Sequence, residues 1–102
     1  MKEAEHFIRQ ALPEVGTLMA RAFVEVGGST VPGSALDQAG LIDGVSIVEN
    51  YLRHGEPGVA LEHLIYMIHE PSLPISTGIF HLIEQAARLM RMEASLIERV
   101  RP

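Results

Sequence analysis

GEPGVALEHLIYMIHEP, residues 55–71, carries the signals of one helix and of both its ends. Pro57 suits the first turn of a helix, where a missing N–H group costs little. Apolar residues then recur with the i, i+3, i+4, i+7 spacing of one helical face, at Leu61, Leu64, Ile65 and Ile68. Pro71 ends the helix, because the residue before a proline is pushed out of helical geometry. The segment therefore predicts an amphipathic helix with one buried side.

The residues before this segment predict another helix, which Gly55 terminates. Its buried stripe consists of Val45, Val48, Tyr51 and Leu52. Two starts are open: a capping box formed by Ser46 and Glu49, or a cap at Asp43 three residues earlier.

On the other side, Ser76 stands at the N-cap of a further helix, with Ile75 and Phe80 placed as a hydrophobic staple. The inward face continues at Ile79, Leu82, Ile83, Ala86 and Met90. Leu96, Ile97 and Val100 extend the pattern, so we expect this last helix to run nearly to the C-terminus.

The N-terminal region also has helical periodicity, which one proline interrupts. The apolar positions are Ile8, Ala11, Leu12, Val15, Leu18, Met19, Ala22 and Val26. Pro13 either kinks this helix or begins a second one, and we favour two helices that meet near Leu12. Residues 27–43 follow as a long loop rich in Gly, Ser and Pro, with one short turn at 34–38. A loop of this length is either functional or partly disordered.

No alternating pattern typical of strands competes with these helices. The sequence thus predicts one all-α domain over residues 1–102, a compact bundle of four to five helices with the long loop after the N-terminal helices. Met19, Met67 and Met90 are assigned to packing in this bundle.

Composition narrows the classes of function. The chain has no cysteine, which excludes disulfides and thiolate metal sites and fits a reducing compartment. No apolar run approaches the roughly 20 residues of a membrane span, and the polar start does not resemble a secretory signal. We therefore expect a cytoplasmic protein without a membrane partner.

Negative charge is concentrated in residues 1–70, which carry ten Asp and Glu against four Lys and Arg, whereas residues 71–102 carry three against four. An acidic surface repels phosphate backbones, so no nucleic-acid partner is expected, and a basic protein suits it better. The one basic cluster contains Arg88, Arg91, Arg99 and Arg101; it either stabilises a helix C-terminus, which we favour, or binds an anion.

The sequence contains none of the strong enzymatic motifs: no His-Glu-x-x-His, no phosphate-binding loop and no Gly-x-Ser-x-Gly. The five histidines lack the helical spacing of a metal pair, so no metal, cofactor or catalytic residue is expected. His54, beside Gly55, is expected to interact with the last carbonyls of its helix.

Glu62, Tyr66, His69 and Glu70 lie opposite the apolar stripe of the helix that begins at Pro57. Two interpretations are open: a solvated outer face, or a binding patch in which tyrosine supplies contact area and carboxylates pair with Lys or Arg of a partner.

VENYLRHGEPGVALEHL, residues 48–64, resembles small bacterial immunity proteins of the MafI type, in which a helix ends at His-Gly-Glu and the next begins Gly-x-Ala-Leu-Glu-x-Leu. Leu73-Pro74-Ile75-Ser76, followed by Ile83-Glu84 and Leu89-Met90, is similar to the second half of that family. The resemblance covers residues 45–92.

This resemblance implies a protein that binds and neutralises a cognate polymorphic toxin, often a nuclease. Nuclease domains tend to be basic, so an acidic binder is steered towards them. We place the toxin-binding surface on Glu49, Glu56, Glu62, Tyr66, His69 and Glu70.

Two other classes of function are open. One is a helical scaffolding or regulatory module that homo-oligomerises. The other is a small enzyme, which would need histidine and carboxylate groups to converge in one cleft.

Overall fold

Five α-helices and one short 3-10 helix are present in residues 2–102, the part of the chain that the computed structural model describes, and no strand lies within it. The helices are α1 (Lys2–Glu25), α2 (Gly44–Arg53), α3 (Pro57–His69), α4 (Thr77–Leu89) and α5 (Ala94–Glu98), and the 3-10 helix spans Ala35–Asp37. The predicted all-α bundle is confirmed. No helix in residues 2–102 is long and apolar enough to cross a membrane.

Helix α3 lies at the centre of the bundle. It contacts all four other helices, while α1 packs mainly on α4 and α2 packs mainly on α3. The predicted stripe Leu61, Leu64, Ile65 and Ile68 is buried, and Ala60 and Met67 are buried with it. Met19 is also buried, and Met90 packs at the edge of the same core, as their assignment to packing predicts. An outward side chain of α3 is therefore held on a rigid element.

The ends of α2 and α3 follow the local signals. Pro57 is in the first turn of α3, and the helix ends just before Pro71. Gly55 terminates α2 in a left-handed conformation, with φ of 71°, and its N–H group donates to the carbonyl oxygen of Leu52. Of the two predicted starts of α2, the position at Asp43 is correct, although the Asp43 side chain makes no capping hydrogen bond, and Ser46 lies inside the helix.

The prediction of two helices that meet near Leu12 is wrong, because α1 is continuous through Pro13. The buried positions Ile8, Leu12, Val15 and Met19 keep one helical spacing on both sides of the proline. Packing of this stripe against the bundle favours one continuous helix. Pro13 itself is exposed, so the carbonyl group that its missing N–H leaves unbonded is on the solvent side, where it is accessible to water.

The prediction of one last helix running to the C-terminus is also wrong. Helix α4 ends at Leu89, and Arg91 adopts a left-handed conformation with φ of 54°. The N–H group of Met92 donates to the carbonyl oxygen of Ala87, which closes the helix as a Schellman motif. The chain then turns back, and the short α5 brings Ile97 into the core.

The loop of residues 26–43 is organised around Asp37. One carboxylate oxygen of Asp37 accepts from the hydroxyl of Thr30 at 3.0 Å, and the other accepts from the N–H group of Gly33 at 2.9 Å. Both hydrogen bonds lower the pKa of Asp37, and the bond from the Gly33 backbone has the larger effect. The predicted turn at 34–38 is confirmed as the 3-10 helix with Ser34 and Gln38 at its ends.

Candidate functional site

The outward side of α3 carries four of the six predicted toxin-binding residues. Glu62, Tyr66, His69 and Glu70 follow one another at i, i+4, i+7 and i+8, opposite the buried stripe. The side chains of Glu62, His69 and Glu70 are exposed, whereas Tyr66 is half-buried. The structure thus brings these four residues to one side of one helix.

Tyr66 is bonded within the chain. Its hydroxyl donates a hydrogen bond to the carbonyl oxygen of Ala39 at 2.7 Å. Beside it, Nε2–H of His63 donates to the carbonyl oxygen of Gly40 at 2.9 Å, and the rings of His63 and Tyr66 lie 5.4 Å apart. Two side chains of α3 therefore hold the end of the 26–43 loop, which borders the outward side of the helix.

Burial raises the pKa of the Tyr66 phenol, and the negative charge of Glu70 raises it further. Both effects disfavour the phenolate, so the phenol keeps the proton that it donates to Ala39 at neutral pH. Sequence reasoning did not identify His63 as a functional neighbour. Its spacing of three residues from Tyr66 was visible, but the sequence gives no sign that the loop returns to this face.

His69 also has an intramolecular role. Its Nδ1–H group donates to the carbonyl oxygen of Arg99 at 3.1 Å, which ties the end of α3 to the segment after α5. This bond assigns the proton of the neutral ring to Nδ1 and leaves Nε2 as the acceptor. His69 can therefore accept one hydrogen bond from a partner without loss of its own contact.

The carboxylates on and next to α3 are not paired with basic residues in the part of the chain that the structure describes. In residues 2–102, the ion pairs involving arginine join Glu5 to Arg9, Glu84 to Arg88 and Glu98 to Arg101. Glu56, Glu62 and Glu70 take part in none of them, and α3 contains no Lys or Arg. Glu56 is the exposed N-cap of α3, and its side chain makes no capping hydrogen bond. These three carboxylates form what we call the α3 acidic surface.

Glu49 lies apart from the α3 acidic surface. It lines an open cleft of about 510 Å³ between α1 and α2, together with Arg9, Pro13 and Thr17. Ile47, on the other side of α2, is the residue that lies beside Gly40 and the loop. The six predicted site residues therefore do not form one patch, because Glu49 faces α1.

The cleft that contains Glu49 continues into an apolar groove along α1. Helices α1 and α2 contact each other only lightly, since each packs mainly on another helix. Two further clefts follow, one lined by Ala20, Phe23 and Ile42 and the next by Phe23, Leu36 and Ile42. Ile42 is 77% exposed at this end of the groove. Sequence periodicity gives no signal for the groove, which depends on how the helices are placed.

Histidine and carboxylate side chains are separated in two of the surface clefts: His69 and Glu49 line different clefts. The cleft that contains His69 is lined by no Asp or Glu, and the cleft that contains Glu49 by no histidine. Within residues 2–102, no three His, Asp or Glu side chains lie close enough together to hold a metal ion. His54 has the predicted capping role, because its Nδ1–H group donates to the carbonyl oxygen of Asn50 at 2.7 Å.

Two of the four arginines in the predicted basic cluster, Arg88 and Arg101, make side-chain contacts within the chain. Arg88 lies in the last turn of α4 and pairs with Glu84 at 3.2 Å. Arg101 pairs with Glu98, and its guanidinium lies 4.6 Å from the centre of the Phe80 ring. These contacts favour structural roles for both arginines over an anion site.

No protein-family model matches the chain, and neither a curated protein nor a solved structure shows significant similarity to it. The resemblance to MafI-type immunity proteins therefore rests on the motifs of residues 45–92, and the immunity function remains a prediction.

Proposed function

We propose that this protein is a bacterial immunity protein that binds a cognate polymorphic toxin, a basic nuclease domain, and neutralises it. The observation that carries the proposal is the α3 acidic surface: Glu56, Glu62 and Glu70 are exposed and lack basic partners in residues 2–102. Such carboxylates are available to pair with the Lys and Arg residues that a nuclease uses to hold phosphates.

The placement of these charges favours recognition. Helix α3 contacts every other helix, so its outward residues are held at fixed separations. Glu62 and Glu70 are eight positions apart, or about 12 Å along the helix axis. Because the helix is already folded, binding does not have to order its backbone, and the clustered negative charge supports rapid association with a basic partner.

Charge alone does not supply tight inhibition, which needs an interface of about 1,200–2,000 Å². Apolar and aromatic area is present on the same side of α3. Val59, one turn before Glu62, is 42% exposed, and the half-buried ring of Tyr66 lies between Glu62 and Glu70. The end of the loop near Ala39 adjoins this area through the Tyr66 hydrogen bond. We propose that the toxin covers α3 and the adjoining end of the loop.

The structure separates Glu49 from this surface, and this gives the proposal an internal control. A partner that lies across the outward side of α3 does not contact the side of α2 that faces α1. We therefore expect the charge of Glu49 to contribute less to toxin binding than the charges of Glu56, Glu62 and Glu70.

The test begins by determining whether the neighbouring gene encodes a toxin domain, which is then co-expressed and purified with this chain. The α3 acidic surface is then reversed by Glu56→Lys, Glu62→Lys and Glu70→Lys, singly and together. We expect the triple variant to associate about 10- to 100-fold more slowly at low salt, and its rate to depend less on salt. Matched reversals at exposed acidic positions elsewhere, Glu3→Lys and Glu93→Lys, should leave most of the rate intact.

Two results would contradict the proposal at different levels. Native association kinetics in the triple variant would show that the toxin binds elsewhere on the chain. The absence of a toxin gene beside this one, together with failure to bind any toxin domain from the same genome, would remove the immunity function itself.

A further inference from the structure

Two side chains of α3 hold the end of the 26–43 loop, and we infer that one of them, His63, is a positioning residue for toxin binding. Its role is to fix the exposed residues Gln38 and Ala39 beside the α3 acidic surface, where they contact the bound toxin. This inference rests on the proposed immunity function and deepens it, because it names the segment that controls how long the toxin stays bound. His63 is not one of the six predicted site residues.

Gly40 allows the loop to lie directly on the His63 ring. Nε2–H of His63 donates to the carbonyl oxygen of Gly40 at 2.9 Å. A Cβ atom at Gly40 would lie 2.8 Å from Cε1 of His63 and 3.5 Å from Cδ1 of Ile47. Gly40 also has a φ of 80°, in the left-handed region that favours glycine. The loop backbone is therefore seated between α2 and α3 at a distance that a larger residue would not permit.

The residues on the two sides of Gly40 differ in burial. Leu41 is buried in the core, whereas Gln38 and Ala39 are exposed. The carbonyl oxygen of Ala39 accepts from the Tyr66 hydroxyl at 2.7 Å. The side chain of Gln38 makes no hydrogen bond within residues 2–102, so its amide offers both donors and an acceptor to a partner. Hydrogen bonds from α3 thus place an exposed, uncharged segment beside Tyr66.

This segment is fixed from both directions along the chain. Asp37, directly before Gln38, accepts two hydrogen bonds from within the loop, and Leu41 follows in the core. Binding therefore does not have to order the segment, which reduces the entropy lost on association. Loops as long as residues 26–43 are uncommon in compact domains and are often functional. Both arguments favour a recognition role for the end of this loop.

Charge and short-range contacts act on different rate constants. The carboxylates of the α3 acidic surface attract a basic partner over a distance, so they accelerate association and salt weakens their effect. Hydrogen bonds and packing form only after contact and act mainly on dissociation. Gln38 and Ala39 are uncharged. Loss of their placement should therefore raise the dissociation rate and leave the salt dependence of association unchanged.

The experiment measures both rate constants for the full chain and the toxin domain encoded by the neighbouring gene. His63→Ala removes the donor, and we expect dissociation at least about tenfold faster, with association within about twofold of the native rate. His63→Gln should restore most of the residence time, because its amide N–H reaches about as far from the backbone as Nε2–H. Gln38→Ala tests the exposed amide itself, and dissociation should be about two- to tenfold faster.

A pair of glycine variants supplies a matched control. Gly40→Ala places a methyl group against His63 and should raise the dissociation rate as His63→Ala does. Gly28→Ala imposes the same backbone strain at the other end of the loop, since its φ is also 80°, but a Cβ atom there meets nothing within 4 Å. It should dissociate at the native rate. A purely structural defect would lower the amount of toxin bound, because part of the protein is unfolded, and leave the dissociation rate unchanged.

The outcomes separate this inference from the function on which it rests. A native dissociation rate in His63→Ala, or equal rates in Gly40→Ala and Gly28→Ala, would overturn the inference and leave the immunity function intact, because the native chain still binds its toxin. Failure of the native chain to bind any toxin domain from the same genome would remove the proposed function and this inference together.

Discussion

The hydroxyl of Tyr66 donates a hydrogen bond to the carbonyl oxygen of Ala39, 27 residues earlier in the chain and 2.7 Å away. With the neighbouring bond from His63 to Gly40, it attaches the end of the 26–43 loop to the central helix of the bundle. Tyr66, which the sequence places on the outer face of α3, thus also holds the end of the loop. The loop therefore forms part of the surface beside Glu62 and Glu70.

Replacement of Tyr66 by phenylalanine removes this hydrogen bond and keeps the ring. We expect the free energy of unfolding to fall by about 0.5–1.5 kcal/mol, the net value of one such bond, and amide hydrogen exchange in residues 27–43 to accelerate. The matched control is Tyr51→Phe, since the Tyr51 hydroxyl makes no hydrogen bond within residues 2–102. Equal exchange in the two variants would show that the Tyr66 bond does not restrain the loop.

The same phenol predicts a loss of stability in alkali. The pKa of Tyr66 is above its ordinary value of 10.0 because of burial and then the charge of Glu70, so the folded chain holds the proton more tightly than the unfolded chain. This contribution is fully present below the unfolded pKa and is lost as the pH rises through the folded pKa. The advantage of the native protein over Tyr66→Phe in urea unfolding should therefore shrink as the pH rises above the ordinary tyrosine pKa of 10.0. A difference that stays constant as the pH rises would refute the assignment.

Gly44 is expected to be intolerant of a side chain. A Cβ atom at this position would lie 2.5 Å from the terminal methyl of Met67, a side chain with no exposed surface. Gly44→Ala should destabilise the protein by about 1–3 kcal/mol, because an overpacked core has to shift. Gly58→Ala is the control: nothing lies within 4 Å of a Cβ atom there, and alanine favours the helix. The prediction fails if both variants unfold at the same urea concentration.

Glu14 and Ser76 couple α1 to the start of α4. The Glu14 carboxylate accepts from the backbone N–H group of Ser76 at 3.0 Å and from its hydroxyl at 3.2 Å, while the Ser76 hydroxyl oxygen caps α4 by accepting from Ile79. Ser76→Ala should cost about 1 kcal/mol, whereas Ser46→Ala, inside α2, should cost little. In a double-mutant cycle, Ser76→Ala and Glu14→Ala should be coupled by at least about 0.5 kcal/mol. Additive effects would mean that the two residues act independently.

The predicted site agrees with the structure only in part, and the reason is geometric. Glu62, Tyr66, His69 and Glu70 share one helix, so their common side follows from 3.6-residue periodicity. Glu49 flanks the turn at His54-Gly55-Glu56 in the sequence, but α2 presents it to α1. The predicted site residues also differ in whether their polar groups are free to bind a partner. The three carboxylates of the α3 acidic surface lack basic partners in residues 2–102. Tyr66 and His69, in contrast, donate hydrogen bonds to carbonyl groups of distant segments.

Local residues determine the helix ends at Gly55, Pro57 and Ser76, because backbone geometry and capping depend on groups only a few positions apart. Periodicity likewise determines which side of α3 is buried. Tertiary packing decides the continuity of α1 through Pro13, the turn at Arg91, the attachment of the loop to Tyr66 and the groove beside Ile42. Those features depend on contacts between segments distant in the chain, whose free energies outweigh local preferences and leave no signal at a fixed sequence spacing.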